Sequence, residues 1–159
     1  MVESASGASS RLLTSAAQDR FRELVRDHLG PSLRSMGFSG RGQEFVLPDA
    51  RSWILLGIQR SRWNDRRDCE FTIQLTVVDK TVWEELRTRH GYGERPYSTR
   101  WYGPRLWQAR LGDLLADGRD VWWHVHPDSD VEPLGRELMA AIERYALPAI
   151  RDHVASESR

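Results

Sequence analysis

Cysteine is nearly absent: Cys69 is the only one in 159 residues. That excludes an intrachain disulfide and a thiolate metal cluster, and it fits a reducing, cytoplasmic compartment. Lysine is as scarce. Of 23 basic residues only Lys80 is lysine and the rest are arginine. A GC-rich genome is reason enough for that bias, so an arginine cluster carries less meaning here than elsewhere. Charge of one sign is missing too. The formal net charge is zero, so no global field steers the chain to nucleic acid or an anionic membrane. Stacking on single-stranded nucleic acid, which would lose affinity steeply with salt, is disfavoured by the same balance. No apolar run reaches the roughly 18 residues of a membrane-spanning helix, and residues 1–14 lack the basic-then-apolar pattern of a secretory signal. The expectation is a chain neither secreted by that route nor membrane-bound.

Hydrophobic residues make up 40% and charged residues 29%, the composition of a globular domain. The Ser/Ala/Gly stretch 1–14 reads as a disordered tail, 15–154 as one α+β domain and 155–159 as a polar tail. A first helix opens near Ser15, with Ala17, Phe21, Leu24, Val25 and His28 on its apolar stripe. Gly30-Pro31 should kink or break it, and Gly37 is placed to end it. Strands are expected over Glu44–Leu47, Ser52–Arg60, Asp68–Val78, Leu106–Leu111 and Asp120–Val125. Ser52–Arg60 is apolar on both faces, as in a strand covered on both sides. Asp68–Val78 alternates most cleanly, with Cys69, Phe71, Ile73, Leu75 and Val77 inward and Glu70, Thr72, Gln74 and Thr76 outward. A short helix over 79–89 takes Asp79 as N-cap. A last helix opens at Ser129 or Asp130 and is interrupted by Pro148. The fold expected is α+β in two layers: a five-stranded, mainly antiparallel sheet with the N-terminal and C-terminal helices on one face.

In order along the chain stand Pro31-x-Leu33-x-x-Met36-Gly37-Phe38, Phe45, Ile58-Gln59-Arg60-Ser61, Asp120-Val121-Trp122-Trp123 and Tyr145-Ala146-Leu147-Pro148. Over residues 18–150 this series resembles the bacterial domain of unknown function 4304 family. The resemblance implies a compact α+β domain in a bacterial cytosol and transfers no catalytic or binding residue.

Two arginine-rich loops carry the most suggestive chemistry. Residues 87–105 interleave five arginines with Tyr92, Tyr97, Trp101 and Tyr102, and residues 60–67 hold Arg60, Arg62, Trp63, Arg66 and Arg67. Guanidinium groups fork onto phosphate or carboxylate, and aromatic faces stack on rings. Placed at one end of the sheet, the loops would form one cationic, aromatic rim; read plainly, they are solvated loops with aromatic lids on the core. On the last strand, Trp122 and His124 should share the polar face of the sheet, so a partner or the 79–104 segment should cover it. His124 and His126 are spaced to approach one metal, with Asp128 or Asp130 as third ligand; a histidine pair without metal is the plainer reading. Cys69 points inward and should be an inert thiol. No motif for a nucleophile elbow, phosphate loop or zinc protease occurs.

The expected function is a non-catalytic binding module for a protein or an anionic ligand, with Arg60, Trp63, Arg100, Trp101, Trp122 and His124 as site residues. No cofactor and no metal are expected. The alternative is a small-molecule enzyme using His124 as an acid–base group in a cleft beside the sheet.

Overall fold

The computed structural model of the chain describes residues 16–65, 67–115, 117–157 and 159. The tail expected over 1–14 and the helix start at Ser15 lie outside them. Helix α1 spans residues 16–35 and buries Ala17, Phe21, Leu24 and Val25 along one stripe. The break expected at Gly30-Pro31 does not occur. Instead Leu24–Leu29 winds as a π-helical turn, and the Gly30 N–H donates to the Val25 carbonyl five residues back. A proline lacks an N–H and collides with the carbonyl four residues earlier. The wider turn gives its ring room, and the α-helix resumes at Gly30–Ser35. Gly37, at φ 102°, then ends the helix. The Phe38 N–H reaches the Leu33 carbonyl and the Gly37 N–H reaches that of Arg34, each at 3.1 Å.

Among the described residues six strands follow: β1 Ser39–Arg41, β2 Glu44–Val46, β3 Ser52–Arg60, β4 Cys69–Asp79, β5 Trp107–Arg110 and β6 Trp123–Val125. All pair antiparallel in the order β1-β2-β3-β4-β5. β6 joins β4 at Cys69–Phe71, on the edge that β5 occupies at Gln74–Val77. β1 was not foreseen, and the strand expected over Asp120–Val125 is only three residues long. A one-turn helix, α3, fills Leu111–Leu114.

The period of two divides the sheet's residues between two layers. Ile54, Leu56 and Ile58 of β3 and Phe71, Ile73, Leu75 and Val77 of β4 pack under the helices. α1 is joined there by α4, made of Val131–Ala141, a π-helical turn at Ile142–Ala146, and Leu147–Glu157. Asp130 caps its start by accepting from the Glu132 N–H. Pro148 does not interrupt α4, for the reason that holds at Pro31: the Leu147 N–H bonds five residues back, to the Ile142 carbonyl.

The opposite face is covered by α2, Lys80–His90, and by the loop that follows. Asp79 caps α2, accepting from the Thr81 and Val82 N–H groups. Trp83, Leu86, Leu106 and Val78 make a second, smaller core. Trp83 stacks on Tyr92 at 5.6 Å, meets Tyr102 edge-on at 5.0 Å, and donates its indole N–H to the Glu94 carbonyl. Ser98 closes on the sheet: its N–H and hydroxyl both donate to Glu44 Oε1, at 3.1 and 2.9 Å. The polar residues Thr72 and Thr76 are thereby buried, donating to the carbonyls of Val121 and Ser98. Among the described residues no helix is long and apolar enough to cross a membrane.

Candidate functional site

Three clefts meet around the end of β3. Two lie over the second face and share Gln59 and Thr99. The first, about 570 Å³, is walled by Trp101, Gln108, Arg110, Asp113 and Asp120 over Gln59 and Gln74. Its only cation, Arg110, is held by Asp120 at 2.9 Å, so the lining has no surplus of positive charge. Gln74 is 8% exposed, and its amide has no hydrogen-bond partner among the described residues. Gln59 Oε1 is buried and equally unpartnered. The second cleft, about 540 Å³, lies between Glu44, Gln43 and Arg60 on one side and Tyr97 and Arg100 on the other.

The third cleft, about 400 Å³, opens on the helical side, between α1 and the β1–β2 hairpin. Its floor is Phe21, Val25 and Phe45; its rim is Arg22, Arg26, Arg34, Arg41 and Arg60; no carboxylate among the described residues lines it. Arg22, Arg26, Gly30 and Arg34 recur every fourth residue and form one ridge of α1. The ridge lacks a side chain at Gly30, and that gap opens the floor. A Cβ at Gly30 would sit 2.9 Å from the Val25 carbonyl oxygen and 3.2 Å from Arg34 Nη1.

The five guanidinium groups are not equivalent. Arg22 is paired with Asp19 at 3.0 Å. Arg26 forks onto both oxygens of Asp27, at 2.8 and 2.9 Å, and that hydrogen bonding holds the Asp27 carboxyl below its ordinary range. The other three have no carboxylate partner among the described residues. Arg34 donates to the Gly40 carbonyl, Arg60 donates to the Gln18 side-chain oxygen and lies over the Phe21 ring at 5.6 Å, and Arg41 has no side-chain partner. Three positive charges without counter-charges among the described residues therefore face one apolar floor.

Of the residues expected to form one rim, Arg60 and Arg100 line the second cleft together, and the others stand apart from it. Arg60 stands between the second and third clefts. Arg100 lines the second and Trp101, 65% exposed, lines the first. The Arg100 guanidinium is stacked on the chain's own Tyr92 and Tyr102, at 5.0 and 5.1 Å. Trp122 lies beside the first cleft, with Arg110 over its ring at 5.2 Å and its indole N–H donating to Asp120. Trp63 is 84% exposed and lines none of the three clefts. His124 lines none either; it pairs with Asp68, the residue before β4. Sequence reasoning missed Arg34 and Arg41. The every-fourth-residue arginine ridge broken by a glycine was the available signal for Arg34, while Arg41 depends on the unforeseen hairpin.

The chain belongs to the family described as a domain of unknown function (DUF4304), whose family model matches residues 29–152. No curated protein and no solved structure matches it.

Proposed function

We propose that this member of the family is a non-catalytic binding module for an anionic ligand with an apolar body, seated in the cleft between α1 and the β1–β2 hairpin. One observation carries the reading: Arg34, Arg41 and Arg60, none paired with a carboxylate among the described residues, surround a floor of Phe21, Val25 and Phe45. Guanidinium groups bind carboxylate, phosphate or sulfonate by charge-assisted, often bidentate hydrogen bonds. The floor takes up the apolar part of the ligand, so charge and body are recognised by different groups. Gly30 keeps the floor open.

Anilinonaphthalene sulfonate, which joins an anion to an apolar ring system, is the probe. Saturable one-to-one binding is expected, displaced by octanoate and not by octanol. Arg41→Ala and Arg34→Ala should each weaken it about tenfold, the equivalent of a charge-assisted hydrogen bond of ~1.5 kcal/mol. Gly30→Ala, whose Cβ would press on the Val25 carbonyl and the Arg34 guanidinium, should also weaken it, and circular dichroism separates that loss from a loss of folding. Equal displacement by octanol, or binding indifferent to both arginine replacements, would sink the assignment.

A further inference from the structure

β4 and β6 bring a second group of side chains together, on the face of the sheet opposite the arginine-rimmed cleft. Their register sets Cys69 opposite Val125 and Glu70 opposite His124. One step further along the same antiparallel pair, Asp68 comes opposite His126. Cys69 and Val125 are buried on the helical side. By alternation Asp68, Glu70, His124 and His126 project from the other face, two carboxylates on one strand and two imidazoles on its neighbour. The His124 and His126 rings are nearly parallel, 11° apart, with centroids at 6.3 Å. The Asp68 carboxylate lies 2.9 Å from His124 Nδ1 and 3.9 Å from His126 Nδ1, which is hydrogen-bonded to the Arg67 carbonyl at 3.0 Å. Donor atoms of Asp68, Glu70 and His124 all lie within 4.8 Å of one another. In a chain so rich in arginine, neither Asp68 nor Glu70 is ion-paired to one among the described residues.

We propose that Asp68, Glu70 and His124 bind a divalent first-row transition-metal ion, with His126 as a further donor. Ligands about 2.0–2.2 Å from such an ion are about 3.0–3.5 Å apart, so the spacing of Asp68 and His124 needs little adjustment. The ion takes the place of the contact between His124 Nδ1 and the Asp68 carboxylate, and the two carboxylates neutralise its charge. Two imidazoles with two carboxylates suit zinc and its neighbours rather than calcium or magnesium, which favour oxygen alone. The Asp128 and Asp130 ligands expected from the sequence are not in this group. Asp130 is the N-cap of α4.

The test is titration of the full-length, untagged, chelator-treated chain with zinc chloride by calorimetry, and with cobalt(II) by visible absorption. One ion per chain is expected. His124→Gln and Asp68→Asn should each weaken zinc binding at least about tenfold and remove the cobalt d–d bands. His153→Gln, at an imidazole stacked on Trp107 instead, should leave both unchanged. Zinc should also raise the unfolding temperature of the native chain and of His153→Gln only. Should a variant fail to fold, nitrogen NMR of the native histidines decides: zinc should move the His124 and His126 ring resonances and spare those of His28, His90 and His153. No saturable binding up to about 1 mM zinc, equal binding by the two site variants, or shifts confined to the other histidines would overturn the proposal.

Discussion

Gly57 shows how much of the second layer depends on one residue. It lies on β3 beneath Ser98, and a Cβ there would sit 2.7 Å from the Ser98 Cβ. Ser98 is 1% exposed and tied to Glu44 by two hydrogen bonds, so it cannot yield without releasing the loop. Gly57→Ala is expected to cost about 1–3 kcal/mol, the usual range for overpacking. Urea melts would measure the cost, and faster hydrogen exchange at the Ser98 amide would place it. In the sequence Gly57 reads as an unremarkable strand glycine, because its partner is 41 positions away by residue number (98 − 57). Cys69, by contrast, was legible from alternation alone. It is fully buried, and burial pushes its thiol up from the ordinary range. The folded state therefore holds that proton more tightly than the unfolded state. The stabilising contribution is complete below the unfolded thiol's pKa, about 8.5, and is lost as pH rises through the folded value. Native protein should resist thiol-specific disulfide reagents at pH 8, and Cys69→Ala should flatten the alkaline fall of stability; rapid labelling without unfolding would contradict the burial.

Elements with their own apolar period were readable, and those made by pairing were not. β3 and β4 announce themselves by alternation, and α2 by its N-cap aspartate. β1 is Ser39-Gly40-Arg41, wholly exposed, with Gly40 at φ 129°; only its register with β2 makes it a strand. β6 is similar, a strand where β4 offers it a partner and irregular before that. The two prolines misled for a different reason. Pro31 and Pro148 each follow a π-helical turn whose closing N–H bonds five residues back, a local rewinding with no sequence signature beyond the proline. Since each ring is already accommodated, Pro148→Ala should change stability by less than about 1 kcal/mol. Glu137→Pro, in the regular α-helical stretch Val131–Ala141, should cost about 3 kcal/mol or more. Thermal melts followed at 222 nm compare the two directly; equal losses would show that the π turns do not accommodate the prolines.

At the scale of the whole molecule, the sheet carries a large apolar core on one side and a smaller, more polar packing on the other. That much follows from the two-sided apolarity of Ser52–Arg60 and the one-sided alternation of Asp68–Val78. The meeting of Arg34, Arg41 and Arg60 does not, because it depends on where α1 crosses the hairpin. Nor does the meeting of Asp68 and Glu70 with His124, which depends on the register of a three-residue strand. β3 links the clefts most directly. Gln59 turns its amide to one side, and Arg60, the next residue, reaches the arginine-rimmed cleft on the other while also edging the second cleft. Insertion of a single residue into β3 ahead of Gln59 would exchange them, sending the guanidinium to the amide-lined cleft and the amide to the arginine rim. Which side of the sheet the Arg60 charge serves is thus a matter of parity in one strand, and a relative that differs there by one residue would move that charge to the opposite face of the same backbone.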